Sequence, residues 1–255
     1  MKIIITGDRK NRNYIEANMI SIFTSCYNQG RYLTETIESV LGQSYSDFEY
    51  LLYDDGSIDN TWEIMEVYAK RDSRIKVVKL PKQPNVGYVI NRSFEDFKRD
   101  FWVWVPSDDI LESNCLEEKM KESEKYDHSH VLYSYWTHIN EAGNAVGKVV
   151  IESMKPEDYS RIIWERCPIG FTGIWIPRTV IEKVGPFPTH LHCSEDYYWM
   201  IKATIHGTKF NCINKFLYRK RLHSNRLISR YAKDVPNLVA QIRKELKEYK
   251  EKYDT

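Results

Sequence analysis

A chain of 255 residues allows one large or two small domains and is long enough to bury a core of its own. With 37 basic and 36 acidic residues the net charge is +1, which offers no global attraction for nucleic acid, and 42% hydrophobic against 29% charged residues suits neither a disordered nor a membrane-spanning chain. Five scattered cysteines (Cys26, Cys115, Cys167, Cys193 and Cys212) fit neither a disulfide framework nor a zinc module and read as small buried thiols of a reducing compartment.

Short apolar runs alternate with helical patterns, which predicts strand–helix–strand units and a mostly parallel sheet. The first 18 residues carry no signal-peptide pattern and are expected to be an N-terminal extension. Met19 to Thr24 is a β-rich run ending in the polar loop Ser25 to Gly30, and Leu33, Ile37, Val40 and Leu41 then recur at helical spacing. Phe48 to Tyr53 is the second strand, closed by Asp54-Asp55-Gly56-Ser57. Asn60 with Glu63 predicts a helix start ahead of Ile64, Met65, Val67 and Tyr68. Ile75 to Leu80 and Phe101 to Val105 are the third and fourth strands, the latter apolar enough for a sheet centre. Val131 to Ile139 and Ala145 to Ile151 read as a hairpin, Ile174 to Ile176 as a short strand, and Tyr197 to Ile205 as a helix. The tail from Pro236 to Tyr253 is a charged amphipathic helix with Leu238, Ile242 and Leu246 on one stripe, packing on the domain or on a second subunit as a homodimer contact.

In an open parallel sheet, ligands bind outside the carboxyl ends of the strands. Two acid pairs sit there, Asp54-Asp55 after the second strand and Asp108-Asp109 after the fourth. Adjacent carboxylates repel, and hard oxygen ligands of this kind favour Mg²⁺ or Mn²⁺, ions that bridge carboxylates to a diphosphate. Neither Gly-x-Gly-x-x-Gly nor the Walker A pattern accompanies them, which turns the reading away from dehydrogenases and NTPases. Trp102 and Trp104 are expected in the core, whereas Trp175 and Trp199 are candidate platforms for a sugar ring, because aromatic faces suit such rings. His190 and His192 lie just before Asp196 and are candidates for the same side. The basic cluster Arg219, Lys220, Arg221, Arg226 and Arg230 reads as a solvated face or, if functional, as a seat for phosphate.

From Met19 to about Arg226 the chain resembles the family 2 glycosyltransferases, inverting enzymes of the GT-A fold. The resemblance is carried by Ile20 to Asn28, by Asp47-Phe48-Glu49 into Asp54-Asp55-Gly56-Ser57-x-Asp59-x-Thr61, and by Asn85-Val86-Gly87 with Asn91. Ser107-Asp108-Asp109 is similar to the family's metal motif, and Glu195-Asp196 to its catalytic-base motif. It implies a Rossmann-like α/β fold, with a GT-A domain over residues 19–230, donor-binding to about residue 110 and acceptor-binding from about 111. Residues 231–255 would be a helical appendage. It also implies that Asp55, with Thr24, Ser25 and Tyr27, holds the base and ribose of a UDP- or dTDP-type sugar, with Asn85 and Gly87 in a donor-site loop and Asp108 near the ribose. Asp109, joined by His223, would bind divalent metal, and Asp196 would take the proton of the acceptor hydroxyl. Glu195, Trp175, Trp199 and His192 fall to the acceptor side, facing a glycan, lipid-linked or protein acceptor.

The processive-synthase motif Gln-x-x-Arg-Trp is missing after Asp196, which points to a single hexosyl transfer. The expected location is the cytoplasm, free or at the periphery of a membrane. Two other readings stay open: a catalytically silent nucleotide-sugar-binding module on the same fold, and a nucleotidyltransferase. The second lacks its glycine-rich, lysine-bearing loop after the first strand.

Overall fold

The computed structural model describes residues 19–151, 154–224 and 226–254, so the expected N-terminal extension lies outside the described residues. In chain order the elements are β1 (Ile20–Cys26), α1 (Leu33–Leu41), β2 (Phe48–Asp55), α2 (Thr61–Arg71), β3 (Ile75–Leu80), α3 (Val86–Asp96), β4 (Phe101–Trp104), β5 (Ile110–Leu111) and α4 (Cys115–Glu124). They continue as β6 (Val131–Ile139), β7 (Ala145–Val149), α5 (Pro156–Ile162), β8 (Ile174–Pro177), α6 (Arg178–Val184), α7 (Glu195–Ile205), β9 (Phe210–Arg221), α8 (Leu227–Arg230) and α9 (Val235–Tyr253).

One sheet runs β3-β2-β1-β4-β8-β6-β9-β5, with β7 added to β6. Pairings β3-β2, β2-β1 and β1-β4 are parallel, as strand–helix alternation requires. From β8 onward the sheet is mixed: β4-β8, β8-β6 and β9-β5 are antiparallel, while β6 and β9 run parallel. Successive side chains alternate between two buried faces. Phe23, Trp102 and Trp104 look into a core that contains Trp199, Met200, Leu238 and Ile242, whereas Ile20, Ile22, Phe101 and Val103 look into one with Leu33, Ile37 and Trp175. The stripe Leu238, Ile242 and Leu246 of α9 is therefore covered by the domain itself, against α7.

Several local expectations need correction. Strand β2 extends through Asp54 and Asp55, which end it from within. Asn60 holds the N-cap position of α2 but makes no capping bond; Asp59 does that work, accepting from the Thr61 amide at 3.0 Å. The segment at Asn85-Val86-Gly87 is the start of helix α3, not a loop. Strand β9 had no clear pattern in sequence. Its irregular burial and the register shifts in its pairing with β6 explain why period-2 alternation is absent.

Candidate active site

The loops after β1 and β2 are stitched together by side chains. The Asn28 carboxamide accepts from the Ile58 amide (2.9 Å), the Ser57 hydroxyl accepts from the Asn28 amide (2.9 Å), the Thr61 hydroxyl from Gln29 (2.8 Å) and the Asp59 carboxylate from Gly30 (3.0 Å). A Cβ on Gly30 would sit 1.9 Å from the Asn60 carboxamide oxygen, so a side chain there would displace the Asn60 side chain. Much of the segment Asp54 to Thr61 thus serves to fix loop geometry around Asp55.

Asp55 is buried at the carboxyl end of β2. Its carboxylate accepts from the Lys82 ammonium (2.5 Å) and the Gln83 amide (2.7 Å), and the same ammonium stands 4.4 Å over the Tyr27 ring. Asp55, Tyr27 and Lys82 form one contact cluster, with Ser25 near the end of β1 beside Tyr53. Thr24 does not join them. It is wholly buried, its hydroxyl donates to the Val105 carbonyl (2.6 Å) and lies 3.0 Å from the Tyr50 phenol, so it ties β1 to β2 and to the end of β4.

The second acid pair lies between β4 and β5. Asp109 is buried, and its two carboxylate oxygens accept from the Thr172 hydroxyl (2.6 Å) and the Arg221 amide (2.8 Å). Burial first, and then the charge of Asp108, push Asp109 up to about 7. Asp108 meets the imidazole of His223 across 2.8 Å, and Tyr32 packs on that imidazole at 5.1 Å. Distant positions are thus brought together: Asp108, Asp109 and His223 share one edge.

Arg221 makes that edge possible, and a basic run gave no hint of it. Fully buried, it is no solvated side chain. Its guanidinium donates to the carbonyls of Asp108 (3.0 Å) and Glu141 (3.0 Å) and to Glu35 (2.9 Å), and lies 4.8 Å over the Tyr32 ring.

Glu195 and Asp196 open α7 immediately after Ser194, whose φ of +64° is left-handed and unusual for a residue with a side chain. Glu195 is buried with Oε2 unpartnered, and burial, followed by the charge of Asp196, pushes it up to about 8. Half-buried Asp196 is raised by burial, opposed by the Tyr197 amide (2.7 Å) and by the charge of Lys220. Lys220 acts on Asp109 in the same sense, so its ammonium stands within electrostatic reach of both acid sites.

Other expected residues lie elsewhere. Gly87 packs under the segment before α7, where a Cβ would come 2.3 Å from the Pro188 carbonyl oxygen, and the Asn85 amide group donates to the Thr189 carbonyl (2.7 Å). Both dock α3 on that segment and leave Gly87 no open face. Trp175 and Trp199 are wholly buried, stacked near Phe101 (4.4 Å) and Phe187 (5.1 Å), and have no face free for a sugar. His192 is exposed beside Tyr231 (4.5 Å), and His190 pairs with Glu245 of α9.

Residues 21–185 match the glycosyl transferase family 2 model, and the chain belongs to that family. The glycosyltransferase GlyG of Streptococcus pneumoniae is 30% identical over 128 residues, covering 50% of this chain and 42% of that protein. An uncharacterized glycosyltransferase of Methanocaldococcus jannaschii, MJ1057, is 24% identical over 206 residues, 80% of this chain and 71% of that one. In three dimensions the chain is similar to S. aureus TarS 1–349 in complex with UDP-GlcNAc, with a TM-score of 0.70 and 23% identity, over 83% of this chain and 61% of TarS. The fold is therefore GT-A-like. The chain spans less than half the length of GlyG and three-fifths of that TarS chain.

Proposed function

We propose that this chain carries out a single inverting transfer of a hexosyl group from a nucleotide-diphosphate sugar of the UDP or dTDP type to an acceptor hydroxyl. One observation supports this most: Asp55 ends β2 and Asp108-Asp109 follow β4 at the carboxyl edge of one sheet, where such a ligand is expected, and the charge of Lys220 reaches both Asp109 and Asp196 at the start of α7. The similarity to a TarS structure holding UDP-GlcNAc agrees with a donor of this type.

The donor base would stack on Tyr27 and bond to Asp55, taking the position over the ring that Lys82 fills. Asp196 would accept the acceptor proton as the acceptor oxygen bonds to the anomeric carbon. The bond from that carbon to the phosphate oxygen breaks with its electron pair leaving on the nucleoside diphosphate. Because the attack is direct, the anomeric centre inverts and no protein nucleophile is needed. The raised proton affinity of Asp196 favours this work.

Among the described residues no group of three or more His, Cys, Asp or Glu forms a metal cage. The hard oxygens of Asp109, each with one donor and lone pairs to spare, and the Asp108–His223 pair nonetheless suit an Mg²⁺ or Mn²⁺ ion shared with a diphosphate. Such an ion, when bound, neutralises charge on the leaving diphosphate.

Calorimetry of UDP binding with and without Mn²⁺ tests the donor edge. Mn²⁺ should tighten UDP binding in the wild type and not in Asp109→Asn; equal UDP affinity under all these conditions would end the metal assignment. Among the described residues no helix is long and apolar enough to cross a membrane.

A further inference from the structure

Beside the acid edge lies a cavity of about 400 Å³, walled by Trp136 of β6, by Val150 and Met154, and by the Arg166–Cys167 turn. Among the described residues, none that lines it is acidic. Cys167 lies within reach of the charges of both Asp196 and Lys220, so this wall of the cavity stands near the proposed base.

Two cations bear on this space: Arg166 lines it, and Lys220 stands beside its Trp136 wall. Lys220 makes no ion pair or hydrogen bond among the described residues, and its ammonium stands 6.0 Å over the Trp136 ring. Arg166, exposed in the cavity lining, likewise has no side-chain partner among the described residues. In this protein the neighbouring basic residues are used differently: Arg219 is held by Glu112 at 2.7 Å and Arg221 by Glu35 at 2.9 Å. A lysine and an arginine left open beside an aromatic and aliphatic wall suit a ligand that is a ring bearing a negative charge. Such a ligand approaching Asp196 would meet carboxylate repulsion, which Lys220 is placed to offset.

We propose that this cavity is the acceptor subsite and that the acceptor is a sugar bearing an anionic group, phosphate or carboxylate, held by Lys220 and Arg166 with its ring against Trp136. The assignment rests on the transferase reading above, with Asp196 as the base.

Binding of glucose 6-phosphate, glucuronate, glucose and inorganic phosphate to the full chain, followed by ligand-observed NMR, tests it, with UDP and Mn²⁺ titrated in parallel. At least one anionic sugar should bind about tenfold or more tightly than glucose, and more tightly than phosphate alone. Which of the two does so names the source of the charge. Lys220→Met should remove most of that preference and Arg166→Gln part of it, each with an unchanged melting temperature. Equal binding of glucose and both anionic sugars, or phosphate binding as well as the sugar phosphate, would overturn the proposal. So would a preference that survives Lys220→Met, or a Lys220→Met variant that loses only UDP, which would move Lys220 to the donor. Failure of the wild type to bind UDP strikes the donor reading instead, whatever the sugars do.

Discussion

The two halves of the sheet treat their polar groups in opposite ways. Around β3-β2-β1-β4 nearly every functional side chain already has an internal partner: Asp55 holds Lys82 and the Gln83 amide, and the β1 and β2 loops exchange four side-chain bonds. Around β8-β6-β9 Arg219 and Arg221 are bonded, but among the described residues Glu195 Oε2, Lys220 and Arg166 near the cleft have no partner, and apolar Val146 and Val150 are exposed. A site whose contacts are pre-formed suits a ligand that is always the same, such as a nucleotide. Unspent groups on a less regular sheet suit a ligand that differs between relatives. The family model covers β6 to β8 as well and ends at residue 185, before α7 and β9 begin.

The largest effect expected from breaking this contrast is at Asp196. Asp196→Asn should lower transfer by about 10²–10⁴-fold, the usual scale for a lost general base, while UDP affinity stays as in the wild type. Normal turnover by that variant would show that the two halves do not divide donor from base as described.

Arg221 comes next, because it belongs by position to one half and by contacts to both. Arg221→Met leaves the carbonyls of Asp108 and Glu141 without their donor and should cost about 2–3 kcal/mol in urea unfolding. A change within experimental error would mean that the acid edge holds itself together. A third test, read in pH, sharpens the picture of Glu195. Its folded state keeps the proton up to about pH 8, whereas the unfolded chain releases it near 4.5, so the stability it contributes is complete below 4.5 and is lost as pH rises through 8. The wild type should therefore lose stability between pH 5 and 9 relative to Glu195→Gln. Parallel melting curves of the two proteins across that range would contradict the assignment.

How much of this was legible in the sequence follows the same division. Strands β1, β2 and β4 are largely apolar, so the strands and the acids near their carboxyl ends could be read directly, although β2 runs two residues beyond its apolar stretch. Asp108, Asp109 and His223 were placed by motif, and in the fold they meet. The capping role of Asp59 was misassigned to Asn60, since both are good N-cap residues one position apart. Trp175 and Trp199 were taken for platforms because an aromatic side chain looks the same in sequence whether its faces are open or stacked. Arg221 was hidden because a run of Lys and Arg carries no sign of which member turns inward. That depends on the two-sided alternation of β9, which its register shifts obscure.

The stitching of the β1 and β2 loops has a dynamic consequence. The amides of Asn28, Gln29, Gly30 and Ile58 lie in exposed or half-exposed loops, yet each is bonded to a side chain of the facing loop. They should exchange with deuterium slowly, at rates closer to those of the strands than of ordinary loop amides, and they should quicken together when Asp59 or Asn28 is replaced by alanine. The mouth of the base pocket would then arrive at its ligand already rigid, so little ordering entropy remains to be lost on binding.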